Sequence, residues 1–417
     1  MTKRKIILGE YLEFEKGISV PRDRLSITNN IAYLHYGDIY KIYNHVVDID
    51  KEIDNILKIS TDEKYKKTQL LKDGDIVYNL TSESVDDLGK AVYIRNPNNI
   101  PFVSGMETTI MRVTDKSILL PEYLNYILST YKFKCLLRQY VTGMKVYRVH
   151  PRDIGRIEIE VPDINEQKKI IDILNPFNDK IELNNQMNQT LEEIASLLYK
   201  RWFVDFEFPD DKGNPYKSSG GEMVDSELGM IPKGWEVKNL TEIAKFVNGL
   251  AMQKFRPQIS EESLPVLKIK ELISNSVSKS TERCKKNIKD EVKVFDGDII
   301  FSWSGTLAVK IWSGGEAGLN QHLFKVTSSI YPKWLYYLIV LYNLNNFKSI
   351  ASDKATTMGH INRSHLEKTY FTIPQIKIII KEYTYMETII DKIIENKVSI
   401  KYLQETKEKV MLDLIQI

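Results

Sequence analysis

A short stretch after Pro162 carries side chains that could bind a catalytic metal ion. Asp163, Glu166 and Lys168 lie close together, and carboxylates with a nearby lysine are what a metal-dependent nuclease would use to hold Mg²⁺. Such ligands come from separate elements that the fold brings together, and the two residues between Asp163 and Glu166 are too few for that. The equivalent later stretch, "PQIKIII" from Pro374, has no acidic residue. We therefore interpret Asp163 and Glu166 as first-turn residues of a helix, where they complement its dipole.

Other patterns that could do chemistry are equally incomplete. "NPFN" at Asn175 lacks the second proline of the Asn-Pro-Pro-aromatic motif with which methyltransferases hold a flipped adenine. A helix start, with Asn175 as N-cap and Pro176 in the first turn, explains it better. "SWSGTLAVK" lacks the spacing of a phosphate-binding loop. The six histidines are scattered, and His360 and His365 lie five residues apart with no cysteine near them, so a metal site is not expected. The sequence predicts no catalytic site and no metal site.

Polar loops of the kind that contact DNA occur at matching places in two halves of the chain. Bases are read in the major groove by Arg, Lys, Asn, Gln, Ser and Thr, while phosphates are held by cations, hydroxyls and main-chain N–H groups. The first pair of loops is "YNLTSESVDDLGK" from Tyr78 and "SWSGTLAVK" from Ser302. Its candidate DNA-binding residues are Asn79, Thr81, Ser82, Trp303, Ser304 and Thr306. A plain hairpin turn is an equally good interpretation of this pair.

The second pair of loops is richer in cations. It comprises "TGMKVYRVHPRDI" from Thr142 and "DKATTMGHINRSHL" from Asp353. The candidate residues here are Lys145, Tyr147, Arg148, Arg152, Lys354, Thr356, Thr357, His360, Asn362 and Arg363. DNA contact is the favoured interpretation over a solvated face. The two loops differ from each other, as expected of domains that share a scaffold and read different bases.

The elements that position these loops are duplicated. "LKDGDIVYN" from Leu71 is repeated as "VFDGDIIFS" from Val294, "RIEIEVP" as "KTYFTIP", and "PEYLNYIL" as "PKWLYYLI". A repeat this long excludes a solenoid. Short β-branched or aromatic runs broken by turn residues predict strands, and one amphipathic helix is predicted in each copy, over 121–140 and 332–351. The pattern indicates two α+β modules.

Heptad spacing follows each module and predicts long helices that pair as a coiled coil. The expected seam residues are Ile170, Leu174, Phe177, Ile181, Asn184, Leu191, Leu198, Met386, Ile389, Ile393, Asn396, Ile400 and Leu403. A buried Asn fixes the register of such a pair, so Asn184 and Asn396 are either register devices or exposed residues. Because each module precedes its helix, an antiparallel pairing would carry the modules to opposite ends. Roughly 28 helical positions span about 42 Å, a little more than the 34 Å or so of one DNA turn.

Composition agrees with a soluble, DNA-binding chain of several domains. The 417 residues contain 42% hydrophobic residues and have a net charge of +2. Basic residues exceed acidic ones over 231–374, whereas acidic residues exceed basic ones in the segment between the modules, over 163–230. This asymmetry suggests a nucleic-acid face on the modules. We find no apolar run of membrane-spanning length and no signal peptide. With Cys135 and Cys284 as the only cysteines, we expect a cytoplasmic protein.

The motifs together resemble a known family. "WFVDFEFP", "SGGEMVDSELGMIPKGWE", the twin "DGDI" strands, "NQHLFKV" and "LEEIASLLYKRWF" are similar, over essentially the whole chain, to the specificity subunits of Type I restriction-modification enzymes. The resemblance implies two target-recognition domains, over 1–162 and 231–374. It also implies a central helical region over 163–205, a connector over 206–230 and a C-terminal helical region over 375–417. The two helical regions would form an antiparallel coiled coil, which gives an internal pseudo-twofold repeat.

The resemblance also implies a function. Each domain would read one half of a bipartite, asymmetric sequence in double-stranded DNA, and the helices would set the spacer and dock two modification subunits. S-adenosylmethionine would bind those partners and not this chain, and restriction subunits would complete the complex. This chain would be a non-catalytic recognition subunit. The alternative is a duplicated scaffold protein that binds protein partners, and changing Arg148 and Arg363 to Ala would discriminate between the two by its effect on DNA binding.

Overall fold

The computed structural model describes residues 3–43, 45–85, 87–278, 280–352 and 360–415. The chain divides into two units. Unit 1 comprises residues 1–179 together with 404–417, and unit 2 comprises residues 180–403. Each unit therefore contains one of the two duplicated modules and parts of both long helices.

Unit 1 begins with a mixed module. Its elements are β1 (Arg4–Ile7), α1 (Leu8–Tyr11), β2 (Leu12–Lys16), β3 (Ile31–Leu34), α2 (Tyr36–Lys41), β4 (Val46–Asp48), α3 (Ile49–Glu52), β5 (Lys58–Ile59), β6 (Ile76–Asn79), β7 (Thr81–Ser82), β8 (Ala91–Arg95), β9 (Phe102–Ser104), β10 (Thr108–Val113), α4 (Pro121–Ser129), α5 (Tyr131–Arg138), β11 (Tyr147–Arg148), α6 (Pro151–Ile154) and β12 (Glu158–Val161). The long helix α7 (Ile164–Tyr199) follows and ends in a π-helical turn, Lys200–Val204.

Unit 2 contains a second module with a closely similar order of elements. They are β13 (Met223–Ser226), β14 (Gly229–Pro232), β15 (Trp235–Asn239), α8 (Leu240–Ile243), β16 (Lys245–Asn248), β17 (Ser263–Leu267), α9 (Ile269–Ser274), β18 (Arg283–Lys285), β19 (Lys293–Val294), β20 (Ile299–Ser302), β21 (Ala308–Ile311), β22 (Ala317–Leu319), β23 (Leu323–Thr327), α10 (Lys333–Tyr342), α11 (Leu344–Ser352), α12 (Arg363–Glu367) and β24 (Tyr370–Pro374). Two helices follow, α13 (Ile376–Glu382) and α14 (Thr384–Leu414).

The two modules share a sheet topology. In unit 1 the largest sheet has the order β2-β10-β6-β8-β4, and a smaller sheet has the order β5-β3-β9. In unit 2 the corresponding sheets have the orders β16-β23-β20-β21 and β18-β17-β22-β19. The strand that opens each module pairs antiparallel with the strand that closes it, β1 with β12 and β15 with β24. The predicted α+β fold with an internal repeat is confirmed.

The repeated Asp-Gly-Asp sequence forms the same turn before the same strand in both units. In unit 1 Asp73 Oδ1 accepts a hydrogen bond from Asn96 N at 2.8 Å, and Asp75 Oδ2 accepts one from Lys72 N at 2.8 Å. Between them Gly74 has a φ of 87°, a left-handed conformation that costs other residues about 1–2 kcal/mol. The repeat therefore encodes a turn that starts the central strand β6.

The second copy of this turn makes equivalent contacts. Asp296 Oδ1 accepts from Gly315 N at 2.6 Å, Asp298 Oδ2 accepts from Phe295 N at 2.9 Å, and Gly297 has a φ of 91°. The turn precedes β20, the counterpart of β6. The resemblance between the two sequences is thus explained by main-chain geometry and needs no shared chemistry.

The prediction of one amphipathic helix in each module was wrong. In unit 1 the helix divides at Thr130, whose Oγ1 donates to Ile127 O at 2.7 Å and accepts from Phe133 N at 3.2 Å. Thr130 therefore ends α4 and caps α5, as hydroxyl residues at helix boundaries do. In unit 2 a similar break at Asn343 separates α10 from α11, and its Nδ2 donates to Ile339 O at 2.9 Å.

The predicted start of the long helix at Pro176 was also wrong. Helix α7 runs without interruption through Pro176, and it begins where Asp163 Oδ1 accepts hydrogen bonds from Asn165 N and Glu166 N at 3.0 and 3.1 Å. Glu166 lies in the first turn as predicted, whereas Asp163 lies just before the helix and caps it. Asn175 is not an N-cap, because its side chain accepts from Tyr126 OH at 2.7 Å and donates to Glu122 Oε1 at 3.0 Å.

Helices α7 and α14 run antiparallel within unit 2. Asn396 Nδ2 donates to Asn188 Oδ1 at 3.1 Å, and Asn184 Nδ2 donates to Ser399 Oγ at 3.3 Å. All three Asn side chains are buried, so Asn184 and Asn396 are not exposed residues. The proposed seam residues of this unit are all buried or partly buried: Ile181, Asn184, Leu191, Leu198, Met386, Ile389, Ile393, Asn396, Ile400 and Leu403.

Unit 1 contains a second stretch of the same two helices. Met411 and Ile415 lie in one apolar core with Ile170 and Leu174, and Phe177 is partly buried. The same two helices also make a polar contact in this unit: Lys407 Nζ donates to Asn178 Oδ1 at 2.9 Å. Burial lowers the pKa of Lys407. The core of the first module is thus completed by residues that follow the second module in the chain.

Among the residues that the structure describes, none of the helices is both long enough and apolar enough to span a membrane.

Candidate DNA interface

In unit 1 the polar loop that begins at Tyr78 and the cationic loop that begins at Thr142 are joined by a short β-ladder. Strands β7 and β11 pair antiparallel, with Thr81 opposite Arg148 and Ser82 opposite Tyr147. Val149 N extends the pairing by donating to Leu80 O at 3.1 Å. The loop after β6 and the cationic loop before β12 therefore form one surface.

The cationic loop of unit 1 is a hairpin closed by Thr142 and Arg148. Their main-chain groups exchange hydrogen bonds of 2.9 and 2.8 Å. Gly143 opens the turn with a φ of 98°, and a Cβ there would lie 2.1 Å from Val146 O, so the tight turn requires glycine. The tip exposes Lys145, with Met144 92% exposed beside it. This geometry presents a cation to solvent on a fixed hairpin.

Buried side chains anchor the first loop of unit 1 through hydrogen bonds. Asn79 is fully buried and donates from Nδ2 to Tyr36 O at 3.1 Å, whereas its Oδ1 has no hydrogen-bond partner within the described residues. Tyr40 OH donates to Thr81 O at 3.1 Å, and burial raises the pKa of Tyr40, which keeps this phenol protonated as a donor. Asn79 and Thr81, which is also buried, support the loop, while Ser82 stays partly accessible.

An ion pair lies beside this ladder. Arg148 Nη2 is 3.8 Å from Glu107 Oε1, and the side chains are 61% and 26% exposed respectively. Glu107 O accepts a hydrogen bond from Leu80 N at 2.9 Å, so the carboxylate belongs to the same junction. The side chain of Arg152 is exposed in α6. The main-chain N–H of Arg152 donates to His150 Nδ1 at 3.1 Å.

Unit 2 joins its two loops in the same way. Ser304 forms an antiparallel bridge with His360, and Ile361 N donates to Trp303 O at 2.8 Å. Trp303 N is 3.4 Å from His322 O. These three contacts have the same places in the topology as the contacts of Thr81 with Arg148, Val149 with Leu80 and Leu80 with Glu107. Both modules therefore build one kind of junction.

The side chains at the junction of unit 2 are aromatic. The rings of His322 and His360 have their centroids 6.0 and 6.2 Å from that of Trp303. Ser304 Oγ is 3.0 Å from His322 Nδ1. The Nε1 donor of Trp303 is buried and lacks a hydrogen-bond partner within the described residues. This junction differs in chemistry from the Arg148 and Glu107 pair of unit 1.

The remaining candidate residues of unit 2 have varied positions. Thr306 is exposed. Asn362 caps α12 by accepting from His365 N at 3.2 Å. Arg363 is exposed and lies 3.7 Å from Glu367. Lys354, Thr356 and Thr357 lie outside the described residues.

This surface offers hydrogen-bonding groups and positive charge. Exposed Lys145, Arg148 and Arg152 can contact phosphates or bases, and Ser82 and Thr306 can donate or accept hydrogen bonds. No cluster of three or more His, Cys, Asp or Glu residues suited to a metal ion occurs over the described ranges.

Sequence reasoning missed two members of the junctions, Glu107 and His322. Each lies one residue before the strand that pairs with the strand following the Asp-Gly-Asp turn, because Thr108 is opposite Asn79 and Leu323 is opposite Ser302. Aligning "ETTIMRV" with "HLFKVTS" after the repeated turn would have identified them as equivalent. Their dissimilar side chains left no other signal.

Comparison with known proteins agrees with this architecture. Residues 6–193 and 232–402 match the family described as the Type I restriction modification DNA specificity domain. The specificity subunit of the Type I restriction enzyme MjaIX from Methanocaldococcus jannaschii is 28% identical, over 73% of this chain and 70% of the relative. That of the enzyme HindI from Haemophilus influenzae is 23% identical, over 93% of this chain and 94% of the relative.

A solved structure has the same fold. The crystal structure of the S subunit of a Type I restriction-modification system from M. genitalium aligns with a TM-score of 0.53 and 12% identity. The alignment covers 100% of this chain and 96% of that one. Because the two matched segments account for most of the sequence, this chain belongs to the Type I restriction-modification DNA specificity family.

Proposed function

We propose that this chain is the DNA sequence-specificity subunit of a Type I restriction-modification complex, in which each module reads one half of a bipartite, asymmetric target in double-stranded DNA. It acts in the cytoplasm, where the DNA is. The observation that carries the proposal is the repeated junction. One scaffold brings two polar loops together in both units, with Arg148 and Glu107 in unit 1 and Trp303, His322 and His360 in unit 2. A shared scaffold with different side chains is what two readers of different half-sites need.

Charge at the junctions supports binding to DNA. Lys145, Arg148 and Arg152 are exposed in unit 1, and Arg363 is exposed in unit 2. Cations of this kind neutralise phosphates and release counterions, which makes affinity fall steeply with salt. The base edges are then available to the less charged groups of each junction.

The long helices have a separate role in the proposal. They set the spacer between the half-sites and dock two modification subunits. The buried contacts of Asn184, Asn188 and Asn396 support a spacer role, because buried polar pairs fix the register of two helices. A fixed register is needed if helix length is to define the gap between half-sites.

This chain supplies no catalytic group in the proposed complex. The modification subunits bind S-adenosylmethionine and methylate adenine at N6, and restriction subunits complete the assembly. The incomplete catalytic motifs of the sequence support this assignment.

The test is to co-express the chain with its modification subunit and map N6-methyladenine in the host genome by single-molecule sequencing. A single bipartite motif with a fixed gap is the expected result. Methylation no higher than with the modification subunit alone would overturn the proposal. It would favour the rival function, a duplicated scaffold that binds protein partners.

A further inference from the structure

Glu107 and His322 occupy equivalent positions in the two modules, as do Arg148 and His360. Glu107 O accepts from Leu80 N at 2.9 Å, and Trp303 N is 3.4 Å from His322 O. Arg148 pairs with Thr81, and His360 pairs with Ser304. The main chain of the junction is thus the same twice, and the side chains at these two positions carry the difference.

The main chain of Glu107 is strained. Its φ is 66°, and His322 is not among the described non-glycine residues with a positive φ. A left-handed conformation costs a residue other than glycine of the order of 1–3 kcal/mol. Because the equivalent His322 avoids it, the topology does not demand this conformation. It is specific to unit 1, where it accompanies a carboxylate beside Arg148.

A carboxylate on a surface that binds DNA needs an explanation, since phosphates repel it. Glu107 Oε1 is 3.8 Å from Arg148 Nη2, and the Glu107 side chain is 26% exposed whereas that of Arg148 is 61% exposed. The carboxylate attracts the Nη2 end of the guanidinium, and the exposure of Arg148 leaves other N–H donors available to a ligand. A guanidinium held in this way is suited to two parallel hydrogen bonds with O6 and N7 of guanine.

We propose that Arg148 reads a guanine in the half-site of unit 1 and that Glu107 is its positioning residue. At the same two positions of unit 2, His322 and His360 determine a base of the other half-site. This inference rests on the proposed function. The two modules, which share a scaffold, obtain their different specificities at these two positions.

The junction of unit 2 offers different chemistry at these positions. The centroids of its two imidazoles lie 6.0 and 6.2 Å from that of Trp303, and neither ring carries the fork of donors that a guanidinium has. An imidazole nitrogen makes a single hydrogen bond to a base edge, and the indole adds apolar surface. We therefore expect weaker discrimination per contact in that half-site.

The experiment is the methylation map described above, repeated with single variants of the full-length chain in the complex. Arg148→Lys keeps the charge and removes the fork, and Glu107→Gln keeps the shape and removes the charge. His322→Gln and His360→Gln alter the other junction. The matched control is Arg156→Lys, which changes another exposed arginine of unit 1, paired with Asp153 at 3.0 Å.

Arg148→Lys is expected to reduce discrimination at one guanine by about 10- to 100-fold and to leave the second half-site and the gap intact. Glu107→Gln is expected to relax the same position, and the histidine variants to relax only the other half-site. The intact half-site shows in each case that the subunit is folded and assembled. The Arg156→Lys map should equal that of the unchanged chain.

Three results would overturn the inference. The motif could stay unchanged in both Arg148→Lys and Glu107→Gln, which would show that Arg148 contacts phosphate only. Glu107→Gln could lower methylation of all sites without altering the motif, which would show a structural role. The histidine variants could leave the second half-site as it was. Failure of the proposed function is distinct from all of these, because then the unchanged chain would direct no bipartite motif.

Discussion

Asn396 donates a hydrogen bond from Nδ2 to Oδ1 of Asn188 at 3.1 Å, and the two side chains are 4% and 5% exposed. The pair lies between two helices whose other facing residues are mostly apolar. Burying an amide costs free energy unless its groups are satisfied, so these helices are most stable in the register that brings the two amides together. Slipping either helix by one turn would separate Asn188 from Asn396.

Asn396→Leu should lower the free energy of unfolding by about 1–3 kcal/mol, because it leaves the Asn188 amide buried without its partner. The double variant Asn188→Leu/Asn396→Leu should recover much of that loss, since both polar groups are gone. Urea unfolding of the unchanged chain, of Asn396→Leu, of Asn188→Leu and of the double variant measures these values. Exposed Asn185 provides a control, Asn185→Ala, which should change little. Strictly additive single and double variants would show that the two amides are not coupled.

The stability of unit 1 should fall in acid through His45. Burial lowers the pKa of His45 to about 3, whereas an unfolded histidine titrates near about 6.5. The neutral ring is thus favoured in the folded state, so its contribution is complete above the unfolded pKa. It is lost as the pH falls from there toward the folded pKa, by up to about 1.4 kcal/mol per pH unit.

Unfolding free energies measured between pH 7 and pH 4 test this expectation. His45→Asn should flatten the pH dependence in that window, whatever it does to overall stability. His150→Asn is the matched control, because His150 is exposed and Asn can retain its capping role. An equal slope in the His45→Asn variant and the unchanged chain would exclude His45 as the source.

Lys145→Ala should weaken DNA binding without changing which sequence is bound. Lys145 is exposed at the tip of the hairpin closed by Thr142 and Arg148, where a flexible ammonium suits a phosphate. Losing one phosphate contact should reduce the slope of log K against log salt by about 1. Titrations at several salt concentrations with the assembled complex measure it. Lys212→Ala, in the connector, should leave the slope as it is, and a changed motif with Lys145→Ala would assign it to base readout.

The distance between half-sites should follow the length of the helices. Adding four residues to α7 after Asn185, and four to α14 at the facing level, lengthens the pair by about 6 Å, slightly more than one turn. The preferred gap should then grow by about one to two base pairs, given about 34 Å for each turn of 10–10.5 base pairs. Selection of bound sites from a randomised pool measures the gap. A gap that does not respond would refute the spacer role.

Much of the architecture could be predicted because it depends on local patterns. The repeated Asp-Gly-Asp turn needs a left-handed residue between two acceptors, and glycine between two aspartates provides that chemistry. Asn184 and Asn396 could be named as candidates for a register role because they interrupt an apolar seam at equivalent points, and burial excludes the alternative that they are exposed. In both cases the physical requirement involves residues that are close in the sequence or regularly spaced.

The helix boundaries were harder because tertiary contacts determine them. Pro176 lies inside α7 although its missing N–H removes one helical hydrogen bond. The neighbouring residues compensate, since Asn175 and Asn178 both bond to Tyr126 OH, at 2.7 and 2.6 Å. The residues in those contacts are about 50 positions apart in the sequence, so no local pattern predicts them.

The candidate interface was predicted in part for the same reason. Composition identified both cationic and polar loops, but the pairing of Thr81 with Arg148 involves segments that are far apart in the chain. The position of Glu107 beside Arg148 was hidden because it involves a main-chain conformation that its residue type does not favour. Nothing in the composition of the loops indicates that this carboxylate lies beside Arg148.

The core of unit 1 includes Met411 and Ile415, which the ribosome adds only after all of unit 2 has been made. The first module therefore emerges during translation with part of its apolar surface uncovered. The helical segment that covers this surface is synthesised last. The module's folding is completed by closing a very large loop, a step that is slow because of its entropy. Proteolysis and aggregation during synthesis therefore threaten the first module more than the second, because its apolar core stays incomplete for longer.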